Sequence, residues 1–148
     1  MNLWIDGDAC PKQVKQILFR AATKRKVSLW IVANHFVNIP PSPFIKRVLV
    51  ESGFDGADKY IVDRIVKNDL VITSDILLAE LVLEKGACAL SPRGLLYSDN
   101  NIKQMVAMRN MNESLRGAGL IQGGLNPLHQ KEILLFSNHL DTLITRLS

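Results

Sequence analysis

The sequence predicts an α/β fold: a three-layer sandwich around a mainly parallel sheet of four or more strands, with helices on both faces. Three observations predict it. Short, dense apolar runs at residues 3–5, 27–32, 70–73 and 87–90 have the length and β-branched content of buried strands. Segments with apolar residues at helical spacing alternate with them. The chain has 148 residues, of which 47% are hydrophobic, enough for one substantial core, and it reads as a single domain over 1–148.

The first run, Leu3-Trp4-Ile5, leads into Asp6-Gly7-Asp8-Ala9-Cys10-Pro11. Proline suits the first position of a helix, where no backbone donor is needed, so this stretch reads as strand, acidic turn, helix. Ligands of open α/β sheets bind outside the carboxyl ends of the strands, where Asp6 and Asp8 stand. Strand alternation puts residues i and i+2 on one side, so both carboxylates can face one point. A divalent cation would let both stay ionised near neutral pH. The competing reading makes Asp8 a helix cap and leaves Asp6 solvated.

Residues 11–26 form an amphipathic helix, with Val14, Ile17, Leu18, Ala21 and Ala22 on one stripe. Lys12, Lys15, Arg20 and Lys24 lie outside it. The strand at 27–32 completes a βαβ unit with a parallel pair. Asn34 and His35 follow at the same sheet edge as the acidic turn. Ile39-Pro40-Pro41-Ser42-Pro43 reads as a rigid connector, and residues 44–52 as a helix ending at Gly53. Asp58 opens the next helical stripe. The strand at 70–73 runs into Ser74-Asp75 before a helix at 76–85, so Asp75 repeats the strand-end position of Asp6. Arg93, in Ser91-Pro92-Arg93-Gly94, follows the fourth strand at that edge. From about residue 101 the chain is helical and docks on the rest through Ile133, Phe136, Leu140, Leu143, Ile144 and Leu147. The glycine-rich stretch 117–124 lacks nucleotide-loop spacing and reads as a linker.

Charge is unevenly distributed. Residues 9–47 hold eight Lys/Arg and no acid, while residues 51–84 hold eight acids against three bases. Basic surface beside an acidic cluster fits a polyanion held over a metal site. Two cysteines, Cys10 and Cys88, lack zinc-ligand spacing and fit a reducing cytoplasm. Cys10 reads as a small buried thiol. No apolar run is long enough for a bilayer, and no basic stretch precedes the first apolar segment, so neither membrane span nor export signal is expected.

These residues together resemble the YaiI/YqxD family of small bacterial proteins over nearly the whole chain. The carriers are Ile5-Asp6-Gly7-Asp8-Ala9-Cys10-Pro11, Ala57-Asp58 with Ile61, residues 69–76 with Leu78-Ala79, Ser91-Pro92-Arg93-Gly94, Ala107-Met108-Arg109 and Leu115-Arg116-Gly117-Ala118-Gly119. That family is similar in turn to the PIN-like nuclease superfamily, whose acids at strand ends and helix starts bind Mg2+ or Mn2+. The resemblance implies a PIN-like fold and a metal set of Asp6, Asp58 and Asp75, with Asp8 from the family's own motif. One departure stands out. The superfamily's further acid, on a helix between the second and third strands, is replaced here by Lys46 and Arg47, with Glu51 near the end. Asp63 and Asp69 would be the substitutes, against the competing readings of an exposed helical acid and a turn aspartate.

The expected function is divalent-metal-dependent phosphodiester hydrolysis, on RNA rather than DNA. Asp6, Asp8, Asp58 and Asp75 would hold one or two ions, about 4 Å apart when paired. Arg93, Arg109 and Arg116 would grip flanking phosphates, with Lys12 and Lys15 farther out. Two rivals remain. One is a non-catalytic RNA-binding protein with a vestigial metal site, favoured by the missing acid. The other is a haloacid-dehalogenase-like phosphatase, since Asp6-x-Asp8 after a strand also suits an aspartyl nucleophile with its acid/base partner.

Overall fold

The computed structural model describes residues 1–51, 56–117 and 127–148, the side chains of 113–117 excepted. Its elements are β1 (Asn2–Asp6), α1 (Lys12–Arg25), β2 (Ser28–Ala33), β3 (Ile45–Leu49), α2 (Gly56–Arg64), β4 (Leu70–Ile72), α3 (Ile76–Glu84), β5 (Cys88–Leu90), β6 (Leu96–Tyr97), α4 (Ile102–Gly117) and α5 (Gln130–Leu147). The six strands form one sheet in the order β3-β2-β1-β4-β5-β6, parallel throughout except for β6. The chain grows outward from β1 through β2 and β3, then returns to the other side of β1 as β4. That reversal opens a crevice at the carboxyl ends of β1 and β4.

Strand alternation produces the three layers. Leu3, Ile5, Leu29, Ile31, Leu70, Ile72 and Leu90 point to one face, against Val14, Leu18 and Ala22 of α1 and Phe136, Leu140, Leu143 and Ile144 of α5. Trp4, Val32, Val71 and Ala89 point to the other, against Ile61 of α2, Leu78, Ala79 and Val82 of α3, and Ile102 of α4. No helix among the described residues is long and apolar enough to cross a membrane.

The sequence reading of a helix over 44–52 needs correction: residues 44–51 are not helical, and residue 52 lies outside the described residues. Ile45–Leu49 is β3, parallel to β2 in the register Leu29↔Ile45 to Ala33↔Leu49. Apolar residues at 44, 45, 48 and 49 match a helical stripe by spacing alone, but the exposed backbone of β2 offers a ladder of hydrogen bonds, and that pairing prevails. Lys46 and Arg47 are exposed on this outer strand, where charge discourages pairing with another chain. The short β6 was not expected. Pro11, expected as the first helical residue, takes the N-cap instead (φ −60°, ψ 148°), so α1 begins one residue later, at Lys12.

Asp69 lies far from the crevice, at the amino-terminal end of β4. Its side chain is almost fully buried and accepts hydrogen bonds from Asn2 N (2.9 Å), Trp4 Nε1 (3.2 Å) and Val66 N (3.1 Å). It ties the start of β1 to the turn before β4, a structural role rather than a substitute ligand.

Candidate functional site

β1 delivers Asp6 to the crevice, and the turn after it doubles back against β2. Gly7 donates to Val32 O at 2.8 Å, and a Cβ there would stand 2.9 Å from Ile31 Cγ2 and 3.3 Å from Val32 O. Only glycine lets the Asp-Gly-Asp turn lie this close to β2, and this fixes where Asp8 emerges. Asp8 meets the end of β2: both carboxylate oxygens accept from Asn34 N at 3.1 Å, and Oδ1 lies 2.8 Å from His35 Nδ1. It does not cap α1, whose N-cap is Pro11 with no side-chain bond.

β4 delivers Asp75 to the opposite wall. Its Oδ1 accepts from Leu77 N (3.0 Å) and Leu78 N (3.4 Å), so Asp75 caps α3. Asp75 N donates to Thr73 Oγ1 at 3.0 Å, and Tyr97 on β6 donates its hydroxyl proton to the Thr73 carbonyl at 3.2 Å. Burial, with Asp75 adding to it, pushes the Tyr97 phenol up to about 12, so Tyr97 remains a donor throughout the neutral range. Tyr97 thus braces the loop that carries Asp75. No motif in the sequence marks it.

Asp6 is nearly buried, and its carboxyl is held above the ordinary 3.8, first by burial, then by the charges of Asp8 and Asp75; a backbone bond from Asp8 opposes the shift. Asp6 thus feels the charges of two other predicted ligands, Asp8 and Asp75. Asp58, in the first turn of α2, lines a cleft of about 460 Å³ with Asp63 and Asp75. Among the described residues, no three His, Cys, Asp or Glu side chains are grouped as a ready-made metal site. Asp6, Asp8 and Asp75 present carboxylate oxygens only, the donor type that hard divalent cations take.

The predicted cations part company. Lys12 and Lys15 line a cleft of about 500 Å³ that also takes in His35. Arg93 bonds through Nη1 to Glu132 Oε1 (2.8 Å) and to the Pro127 carbonyl (3.4 Å), linking the loop after β5 to the start of α5. Arg109 is half-buried on α4. Arg116 lies in α4 with its side chain outside the described residues, and 118–124 of the expected linker lie outside them too. Burial drives the Cys10 thiol up to about 12, which keeps it protonated and unreactive.

Glu132 yields a pH prediction. A backbone bond from His129 and the Arg93 contact outweigh desolvation and hold its carboxyl below the ordinary 4.5. A carboxyl lowered by folding stabilises above its unfolded value and loses that contribution as pH falls through the folded one. Glu132→Gln should melt below the parent at pH 7, with the gap closing in acid; melting curves between pH 3 and 7 measure it. A gap that widens in acid would contradict the assignment.

Fold and site together define an open-sheet α/β protein with carboxylates gathered at the point where strand order reverses. A family model described as uncharacterized, YaiI/YqxD family, matches residues 4–146. The chain belongs to that family. It is 51% identical over 147 residues to a UPF0178 protein of Shewanella amazonensis, with 99% of each chain covered. It is also 51% identical over 146 residues to UPF0178 proteins of Colwellia psychrerythraea and Maridesulfovibrio salexigens, covering 99% of this chain and 97% of each relative. No solved structure matches the chain.

Proposed function

We propose that this protein is a divalent-metal-dependent nuclease, of PIN-like character, that hydrolyses RNA in preference to DNA. The observation that carries the proposal is the convergence of Asp6, Asp8 and Asp75, close enough that the latter two raise the proton affinity of the first. Asp6, Asp8 and Asp75 would hold Mg2+ or Mn2+, with Asp58 completing the acidic wall of the cleft beside Asp75. Such an ion lowers the pKa of a bound water and offsets charge developing on the scissile phosphate. The chain's own contribution is rigidity. Burial fixes Asp6, Asn34 N and His35 hold Asp8, and capping leaves Asp75 Oδ2 for the crevice. The free thiols Cys10 and Cys88 fit a cytoplasmic setting.

A second reading, an RNA-binding protein that does not cleave, is favoured by β3. The segment where a further acid was expected on a helix is a strand carrying Lys46 and Arg47. Incubating the pure protein with end-labelled single- and double-stranded RNA and DNA, in Mn2+, Mg2+ or EDTA, separates the two. Nuclease activity predicts cleavage of RNA with metal and none in EDTA, and at least a hundredfold loss in Asp75→Asn. Metal-independent binding without turnover would establish the second reading.

A further inference from the structure

Phe36 is a large apolar side chain held out in solvent, 64% exposed, immediately after the Asn34-His35 pair that meets Asp8. Its position is built. The Arg47 guanidinium from neighbouring β3 lies over the ring with Cζ 4.1 Å from the centroid, and the same group donates to the Val37 carbonyl at 3.2 Å. Val37 is buried in the core, so the loop is anchored on both sides of the ring while the ring itself stays out. Folding gains little from that placement, because the aromatic area is not removed from water.

The ring borders the 500 Å³ cleft whose cations are Lys12 and Lys15, and His35 lines that cleft while bonded to Asp8. The cleft is thus linked to Asp8 through His35. On its far side it shares Gln16, Phe19 and Pro40 with a second cleft, of about 490 Å³, that carries Arg20 and Lys24. The two lie end to end along α1, whose 14 residues span about 21 Å. No acid occurs from residue 9 to residue 50.

We infer that Phe36 is a base-stacking platform for single-stranded nucleic acid, and that Lys12, Lys15, Arg20 and Lys24 carry the phosphates of that strand along α1 away from the acidic site. An aromatic face beside a cationic groove is the arrangement by which proteins hold single strands without reading sequence. A duplex keeps its bases stacked on each other and presents none to the ring. The inference rests on the reading that the neighbouring site handles nucleic acid, but it concerns binding and not cleavage.

The test uses the full chain in EDTA, with fluorescence anisotropy of labelled ten-residue oligouridylate, an abasic strand of equal length, and a blunt duplex. Phe36→Ala should weaken oligouridylate binding about tenfold, while leaving abasic binding within twofold of the parent. Phe36→Tyr should restore parental affinity. Lys15→Ala should weaken both strands alike and reduce the salt slope by about 0.7, the release expected for one single-strand phosphate. The inference is overturned if Phe36→Ala binds oligouridylate as the parent does, if it loses the abasic strand equally, or if the duplex binds as tightly as the single strand. Since no metal is present, stacking-dependent binding by a protein that never cleaves in Mn2+ would sink the nuclease proposal and leave this one standing. Cleavage with binding indifferent to Phe36 would do the reverse.

Discussion

Asp6→Asn is expected to melt at or above the parent in EDTA at pH 7, and to lose the rise in Tm that Mn2+ gives the parent. The carboxyl of Asp6 is held above 3.8 by burial and by Asp8 and Asp75. A carboxyl raised by folding contributes stability below its unfolded value and loses it as pH rises through the folded one. At neutral pH the ion-free parent therefore carries an electrostatic cost, and the neutral, nearly isosteric asparagine removes it. The Tm difference in EDTA should close as pH falls below 3.8, where Asp6 becomes protonated in the folded and unfolded chain alike. Mn2+ at about a hundred times its Kd would stabilise the parent by about 2.7 kcal/mol, and the variant, short of its central donor, should respond far less. Differential scanning fluorimetry across pH and Mn2+ concentration provides both readings. A large fall in Tm in EDTA, with the Mn2+ response preserved, would make Asp6 a structural residue.

Gly94→Ala should be the most destabilising single-methyl change. Gly94 has φ +93°, where side chains are strained. A Cβ would lie 2.8 Å from Leu135 Cγ and 2.8 Å from the backbone nitrogen of Phe136, so a swing of one flexible side chain cannot relieve it. Either α5 shifts away, drawing Phe136 from the core it fills, or the Ser91–Gly94 turn deforms and the Arg93–Glu132 contact is lost. Strain and overpacking together cost about 3 kcal/mol, or a Tm lower by about 10 °C for a chain of this size. A variant melting within 2 °C of the parent would show that the turn is not pressed against α5.

Much of this was legible in the sequence because buried parallel strands are dense apolar runs, and a carboxylate directly after such a run can stand only at the sheet's carboxyl edge. Asp6 and Asp75 could be placed on that ground alone. β3 could not, because its residues satisfy a helical stripe and what decides them is the unpaired backbone of β2, a neighbour in space. Asp69 reads as a turn residue until the three donors it satisfies are seen, two of them from β1. Arg93 was expected at the phosphates, but a sequence does not disclose that Glu132, 39 residues later, stands 2.8 Å away. Tyr97 and Phe36 belong to no motif. Their placement depends on the short β6 and on the Arg47 contact.

The layer beneath the sheet joins the two ends of the chain: α5 covers the same strand face as α1, with Phe136 and Leu140 beside Leu3, Ile5 and Leu18. During synthesis, β1, α1 and β2 leave the ribosome long before α5 exists to cover them. Their shared face must stay open to water or to a chaperone until residues beyond 130 emerge, and loop closure over so long a separation is slow. The nascent chain thus passes through an interval in which its site-bearing half is made but cannot yet be rigid, and premature termination before α5 would leave a product prone to aggregate.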